Sequence, residues 1–119
     1  MESSDSALQT VSGSSVLDSI QVPDNPFSPN GDGIKDKARF VYKLKQSANV
    51  KLEIYALKGE RVRRMDQGSI TDTNVHVIEW DGNDDSGTRV NNGLYLYRFF
   101  ADNNFGQTDK AINLIGVIR

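Results

Sequence analysis

Apolar residues recur at every second position along most of this chain, the spacing of extended strands with one buried face. In KARFVYKL (37–44), Ala38, Phe40, Tyr42 and Leu44 fall on one face, and Lys37, Arg39 and Lys43 on the other. NVKLEIYA (49–56) repeats the pattern, with Val50, Leu52 and Ile54 inward and Lys51 and Glu53 outward. Only a short KQSA turn separates the two, so the spacing predicts that they form a hairpin. SVLDSIQV (15–22) predicts a first strand, LKGE (57–60) a turn with Gly59 at its tip, and RVRRMDQG (61–68) a weak, edge-like strand. NVHVIEW (74–80) places His76, Ile78 and Trp80 on one face. DGNDDSGTRVNNG (81–93) is a long polar loop. LYLYRFFA (94–101) is strongly aromatic, and its two faces, Tyr95 with Tyr97 and Leu94 with Leu96 and Phe100, are both apolar. That predicts a central strand, or one covered on one side by a neighbour. DNNFGQ turns the chain, and TDKAINLIGVIR (108–119) supplies a last strand.

These are about seven short strands separated by Gly, Asn and Asp turns, with no convincing helix. The expectation is an all-β sandwich of two packed antiparallel sheets spanning residues 15–119. Val50, Leu52, Ile54, Trp80, Tyr95 and Tyr97 are its expected core. A large ring on an apolar strand face contributes by burial, so Trp80 reads as a core plug rather than a ligand platform.

Composition narrows the choices. A chain of 119 residues is enough for one domain and short for two. With 14 basic and 16 acidic residues the net charge is -2, so there is no nucleic-acid footprint of the basic kind. No apolar run approaches the ~18–20 residues that a spanning helix needs. The absence of cysteine excludes disulfides, thiolate metal sites and a cysteine nucleophile. MESSDSALQTVSGSS lacks the basic start and apolar core of a signal peptide; residues 1–14 read as a flexible Ser-rich linker or leader, with Met1 opening a fragment of a longer chain.

Catalytic chemistry finds little to work with. The single histidine, His76, lies within a strand and faces the core beside Ile78, which makes it a poor base for a nucleophile triad and leaves a zinc site short of ligands. Glu79, Asp81, Asp84 and Asp85 are the available carboxylates, and all but Glu79 lie in one loop. Asp and Asn in such loops hydrogen-bond their own backbone; a cation site and carboxylate catalysis are the alternatives.

PFSPNGDGIKD (26–36) is the most structured loop in the sequence. A calcium loop presents oxygens at alternate positions, with a glycine at the sharp turn and a backbone carbonyl after it. Asn30, Asp32, the carbonyl of Ile34 and Asp36 fit half of that pattern, with Gly33 at the turn. The bidentate glutamate expected seven residues after Asp32 is missing, and Arg39 stands in its place. The competing reading is a pure turn, with Pro29 pre-setting φ, Gly31 and Gly33 at positive φ, and Asn30 and Asp32 capping within the loop. Calcium at Asn30, Asp32, Ile34 and Asp36 and a metal-free turn both stand at this point.

Taken together, Asn25-Pro26-Phe27, Ile54-Tyr55 before Gly59, Trp80-Asp81-Gly82, Gly87, and Gly93 with Tyr95 resemble the FlgD-type immunoglobulin-like domain, over roughly residues 20–119. SPNGDGIKD also resembles the opening of gliding-bacterium C-terminal domains. The resemblance implies an immunoglobulin-like fold and a non-catalytic module at the C-terminus of a larger secreted or surface bacterial protein. Such modules act as spacers, assembly units, or secretion and anchoring domains. The implied partners are the rest of a parent chain or a surface or secretion component, and the implied location is extracellular or cell surface. A glycan- or protein-binding module, calcium-stabilised or not, is the alternative; Tyr55, Phe100 and Phe105 are its candidate outward aromatics. An enzyme built on the acidic loop comes last.

Overall fold

The computed structural model describes residues 8–10, 16–31, 33 and 36–119. Among these the chain forms eight strands: β1 (Leu8–Thr10), β2 (Leu17–Gln21), β3 (Ala38–Leu44), β4 (Ala48–Ala56), β5 (Arg61–Ile70), β6 (His76–Trp80), β7 (Gly93–Asp102) and β8 (Thr108–Val117). They make two four-stranded antiparallel sheets, ordered β1-β2-β3-β6 and β5-β4-β7-β8. The expected strands are all present, and β7 is interior to its sheet, the first of the two alternatives that its apolar faces suggested. β1 lies in the segment read as linker, where Leu8–Thr10 pair antiparallel with β2; residues 1–7 and 11–15 lie outside the described residues.

One expectation fails. β3 and β4 do not form a hairpin: β3 pairs with β2 and β6, while β4 pairs with β5 and β7. The short turn carries the chain across the sandwich instead of back along the same sheet. Period-two alternation reports which residues are inward, and it is identical whether two inward faces lie side by side or look at each other across a core.

The core joins the two sheets ring by ring. Trp80 of β6 meets Tyr95 of β7 at 5.9 Å between centroids, Phe40 of β3 meets Tyr97 at 5.0 Å, and Tyr42 of β3 meets Phe99 at 4.9 Å. Each pair is tilted or edge-on, the arrangement that aligns ring edge with ring face. Three consecutive inward positions of β7 are thus matched by rings of the opposite sheet. Trp80, Phe40, Phe99, Leu52 and Ile54 are fully buried.

Tyr95 also closes a corner. Its hydroxyl donates to the Asn91 carbonyl four residues upstream at 2.7 Å, at the crossing from β6 to β7. This is the tyrosine corner of immunoglobulin-like sandwiches, at the start of the strand where that fold places it.

One lateral side of the sandwich is stapled by polar groups. The Asp109 carboxylate on β8 accepts the Val16 N–H at 2.7 Å and the Leu17 N–H at 2.9 Å, tying the start of β2 to the opposite sheet. Phe27 then runs parallel to the end of β8, donating its N–H to Gly116 and accepting from Ile118. Its ring packs against Trp80 at 5.4 Å. The Asn-Pro-Phe stretch therefore seals an edge that would otherwise expose a row of unpaired backbone groups.

Candidate functional site

The loop after Trp80 gathers Asp81, Asp84 and Asp85. Its carboxylates serve the backbone. Asp81 accepts the Asn83 N–H at 3.0 Å, and Asp84 accepts those of Ser86 and Thr88, both at 2.9 Å. Asp85 reaches the neighbouring strand: it accepts the Arg64 N–H at 3.0 Å, while its own N–H donates to Val62. The loop thus lies along β5 and occupies part of that strand's outer edge. Arg63 stands 3.9 Å from both Asp81 and Asp85 and donates to the Asp84 carbonyl. The indole N–H of Trp80 donates to the Asn83 carbonyl at 2.8 Å, so the loop is also held from beneath.

His76 is not near this loop's carboxylates in the chain's path; it opens β6, whereas the loop follows that strand's far end. Its Nε2 lies 2.7 Å from the Asp72 carboxylate, and its ring stacks on Tyr42 at 5.6 Å. The Asn74 N–H, and after it the His76 side chain, hold the Asp72 carboxyl below its ordinary range. Burial, with a smaller contribution from the Asp72 charge, pushes the Tyr42 hydroxyl up to about 12. His76 lies on a strand, as expected from the sequence, and is half-buried there.

In the 26–36 loop, Asp36 binds two amides at once. Its carboxylate accepts the Gly31 N–H at 3.0 Å through Oδ1 and the Gly33 N–H at 2.7 Å through Oδ2. Gly31 and Gly33 both take φ of 81°, the left-handed region that lets successive amides converge on one acceptor. The Asn30 N–H donates to the Ser28 carbonyl at 2.8 Å. Asp32 and Ile34 lie outside the described residues, so two of the four expected calcium ligands are not placed. Among the described residues no group of three or more histidines, aspartates and glutamates is arranged to hold a metal.

The outer face of the β5-β4-β7-β8 sheet carries the features left over. Leu96 stands opposite Leu114, Arg98 opposite Ile112 and Phe100 opposite Lys110 in the β7–β8 register. Lys51 lies 4.9 Å from the Phe100 ring centroid and Arg98 5.1 Å from it, with Arg98 also 5.5 Å from the Tyr55 ring. Phe105 sits elsewhere, at the β7–β8 turn, 86% exposed. Asn103, buried beneath it, fixes that turn by accepting the N–H groups of Phe105 and Gln107.

The roles of two side chains were not read from the sequence, although Asn25 belongs to the Asn-Pro-Phe landmark. Asn25 lines up on the β8 edge, accepting the Gly116 N–H and donating to the Leu114 carbonyl. Asp109 joins the sheets. Asn25 had a visible signal, an asparagine directly before a Pro-Phe pair; a lone aspartate near the start of an alternating strand had none.

Fold, tyrosine corner and edge seals define an immunoglobulin-like β-sandwich whose loop carboxylates hold its own backbone. Residues 29–104, more than half of the chain, match the FlgD Ig-like domain family, and the chain belongs to it. Among solved structures, the crystal structure of dimeric latent PorU from Porphyromonas gingivalis is similar at a TM-score of 0.67 and 22% identity, a likeness of fold. The similarity covers 87% of this chain and 9% of that one. FlgD from P. aeruginosa is similar at a TM-score of 0.56 and 26% identity, covering 69% of this chain and 63% of that chain. A search of curated proteins finds no significant match.

Proposed function

We propose that this domain is a non-catalytic accessory module at the C-terminus of a larger exported bacterial protein, acting as a spacer, assembly unit, or secretion and anchoring domain at the cell surface. The observation that carries the reading is the commitment of the aspartate carboxylates to backbone amides. Asp36, Asp84, Asp85 and Asp109 each accept one or two backbone N–H groups, which makes them structural ties rather than free acids or bases. Membership of the FlgD Ig-like domain family supports it. So does the similar fold forming 9% of the PorU chain, a small part of a long protein.

The second reading is a binding module, and the outer sheet face favours protein over glycan as its ligand. A sugar stacks on a bare aromatic face, whereas the rings of Phe100 and Tyr55 are both approached by cations.

Deleting residues 15–119 from the encoding gene in its own host tests the first reading. The expected result is a parent protein that keeps its other activities but is no longer exported or retained at the surface. Unchanged export and retention would remove the secretion and anchoring role. Turnover of any substrate by the purified domain would overturn the non-catalytic reading as a whole.

A further inference from the structure

We propose that the outer face of β7 and β8 is a docking surface for an amphipathic protein segment that carries leucine-like side chains beside aspartate or glutamate. The proposal rests on the reading of this domain as an assembly module and names the partner's chemistry.

One end of the face is apolar. Leu94, Ile112 and Leu114 are 53%, 46% and 41% exposed, and the pairing of Leu96 with Leu114 makes the patch continuous across the two strands. Scattered exposed leucines need no explanation, but a contiguous group on one sheet face marks a contact surface.

The other end is cationic, in a chain whose net charge is -2. Lys51, Arg98 and Lys110 surround Phe100 through the β4–β7 and β7–β8 registers. None of the three forms an ion pair with a carboxylate among the described residues. Cations nearby are neutralised: Arg61 lies 3.8 Å from Glu53 and Arg64 3.5 Å from Asp66. On the other sheet Arg39 meets Asp24 at 2.9 Å and Lys37 meets Glu79 at 3.6 Å. Three cations without an ion pair thus stand beside the apolar patch, while Glu53, opposite Arg98, is buried and engaged by the Tyr55 hydroxyl and Arg61; the complement of that pattern is an apolar, acidic partner.

The edge of β8 directs such a partner onto the face. From Leu114 to Ile118 that edge is already bonded to Asn25 and Phe27, so strand addition there is blocked. A bare anion would be drawn to the cations but would leave the leucines unused.

The probe is a short synthetic helix of leucine and glutamate, titrated into the isotope-labelled 119-residue chain and followed by amide chemical shifts. Shifts confined to β4, β7 and β8, and no response to a twin peptide with lysine for glutamate, are expected. Lys110→Glu and Leu114→Ser, both at exposed positions, are each expected to weaken binding about tenfold. Thermal melts establish that both variants fold. Absence of shifts, shifts centred on another surface, or equal binding of the lysine twin would overturn the proposal. So would binding to vesicles of phosphatidylcholine and phosphatidylglycerol with the peptide inert, which would assign the face to a membrane. A failed titration alongside export lost on domain deletion removes only this surface; a successful one alongside unchanged export removes only the secretion role.

Discussion

Asn25 occupies the place of a missing strand beside Gly116: its side-chain oxygen accepts the Gly116 N–H at 3.0 Å. Its Nδ2 donates to the Leu114 carbonyl at 2.9 Å, so a single side chain satisfies both kinds of backbone group on the β8 edge. Asn25→Ala leaves both unpaired, and a loss of about 1–3 kcal/mol is expected from urea unfolding. Hydrogen exchange at Gly116 and Ile118 should accelerate by more than exchange in β4. Asn25→Asp keeps the acceptor and loses the donor, so it should fall between alanine and the native residue. Equal exchange at Gly116 in native and alanine chains would show that the seal does not depend on this side chain.

The tyrosine corner is open to a minimal change. Tyr95→Phe retains the ring beside Trp80 and deletes only the bond to the Asn91 carbonyl. A cost of about 0.5–1.5 kcal/mol is expected, with an unchanged denaturant m-value. A stability equal to the native chain's would mean that water replaces the hydroxyl without penalty.

Alkaline pH should unfold the domain through its buried phenols. Burial pushes the hydroxyls of Tyr42 and Tyr97 up to about 12, with the Asp72 charge adding to the rise at Tyr42. Both values lie above the ordinary 10 of an unfolded chain. The stabilisation is therefore fully present below about pH 10 and is lost as pH rises toward 12. Each group contributes roughly 2–3 kcal/mol at most, because a tenfold change in acidity corresponds to about 1.36 kcal/mol. Absorbance of tyrosinate and far-ultraviolet circular dichroism should report these two ionisations together with unfolding. Ionisation of all four tyrosines before any loss of dichroism would contradict a dry interior.

The 26–36 loop distinguishes a turn from a cation site by a simple melt. Both oxygens of Asp36 already accept amides, so Asp36→Ala is expected to cost about 1 kcal/mol in the presence of a chelator. Millimolar calcium is expected to leave the native melting temperature unchanged. A calcium-dependent rise that disappears in both Asp36→Ala and Asp32→Ala would assign the ion to this loop, since a ligand held by the folded state alone raises its stability.

Much of the fold was legible in the one-dimensional pattern. Alternation marks inward and outward residues because successive side chains of a strand point to opposite faces. Hence the strands, the burial of Phe40, Leu52, Trp80 and Tyr97, and the placement of Leu94 and Phe100 on the face opposite Tyr95 and Tyr97 could be read without coordinates. Asn, Asp and Gly marked the turns for an equally local reason, since their side chains and φ freedom act within a few residues. Partnership across the sheets was not legible. Alternation carries no information on whether β4 lies beside β3 or across from it, and only the packed sandwich assigned them to opposite sheets. The bonds from Asp109 to Val16 and Leu17 span more than 90 positions of sequence. No local periodicity encodes such a contact, and it exists only because packing two hydrophobic faces together brings the two segments to one side of the sandwich.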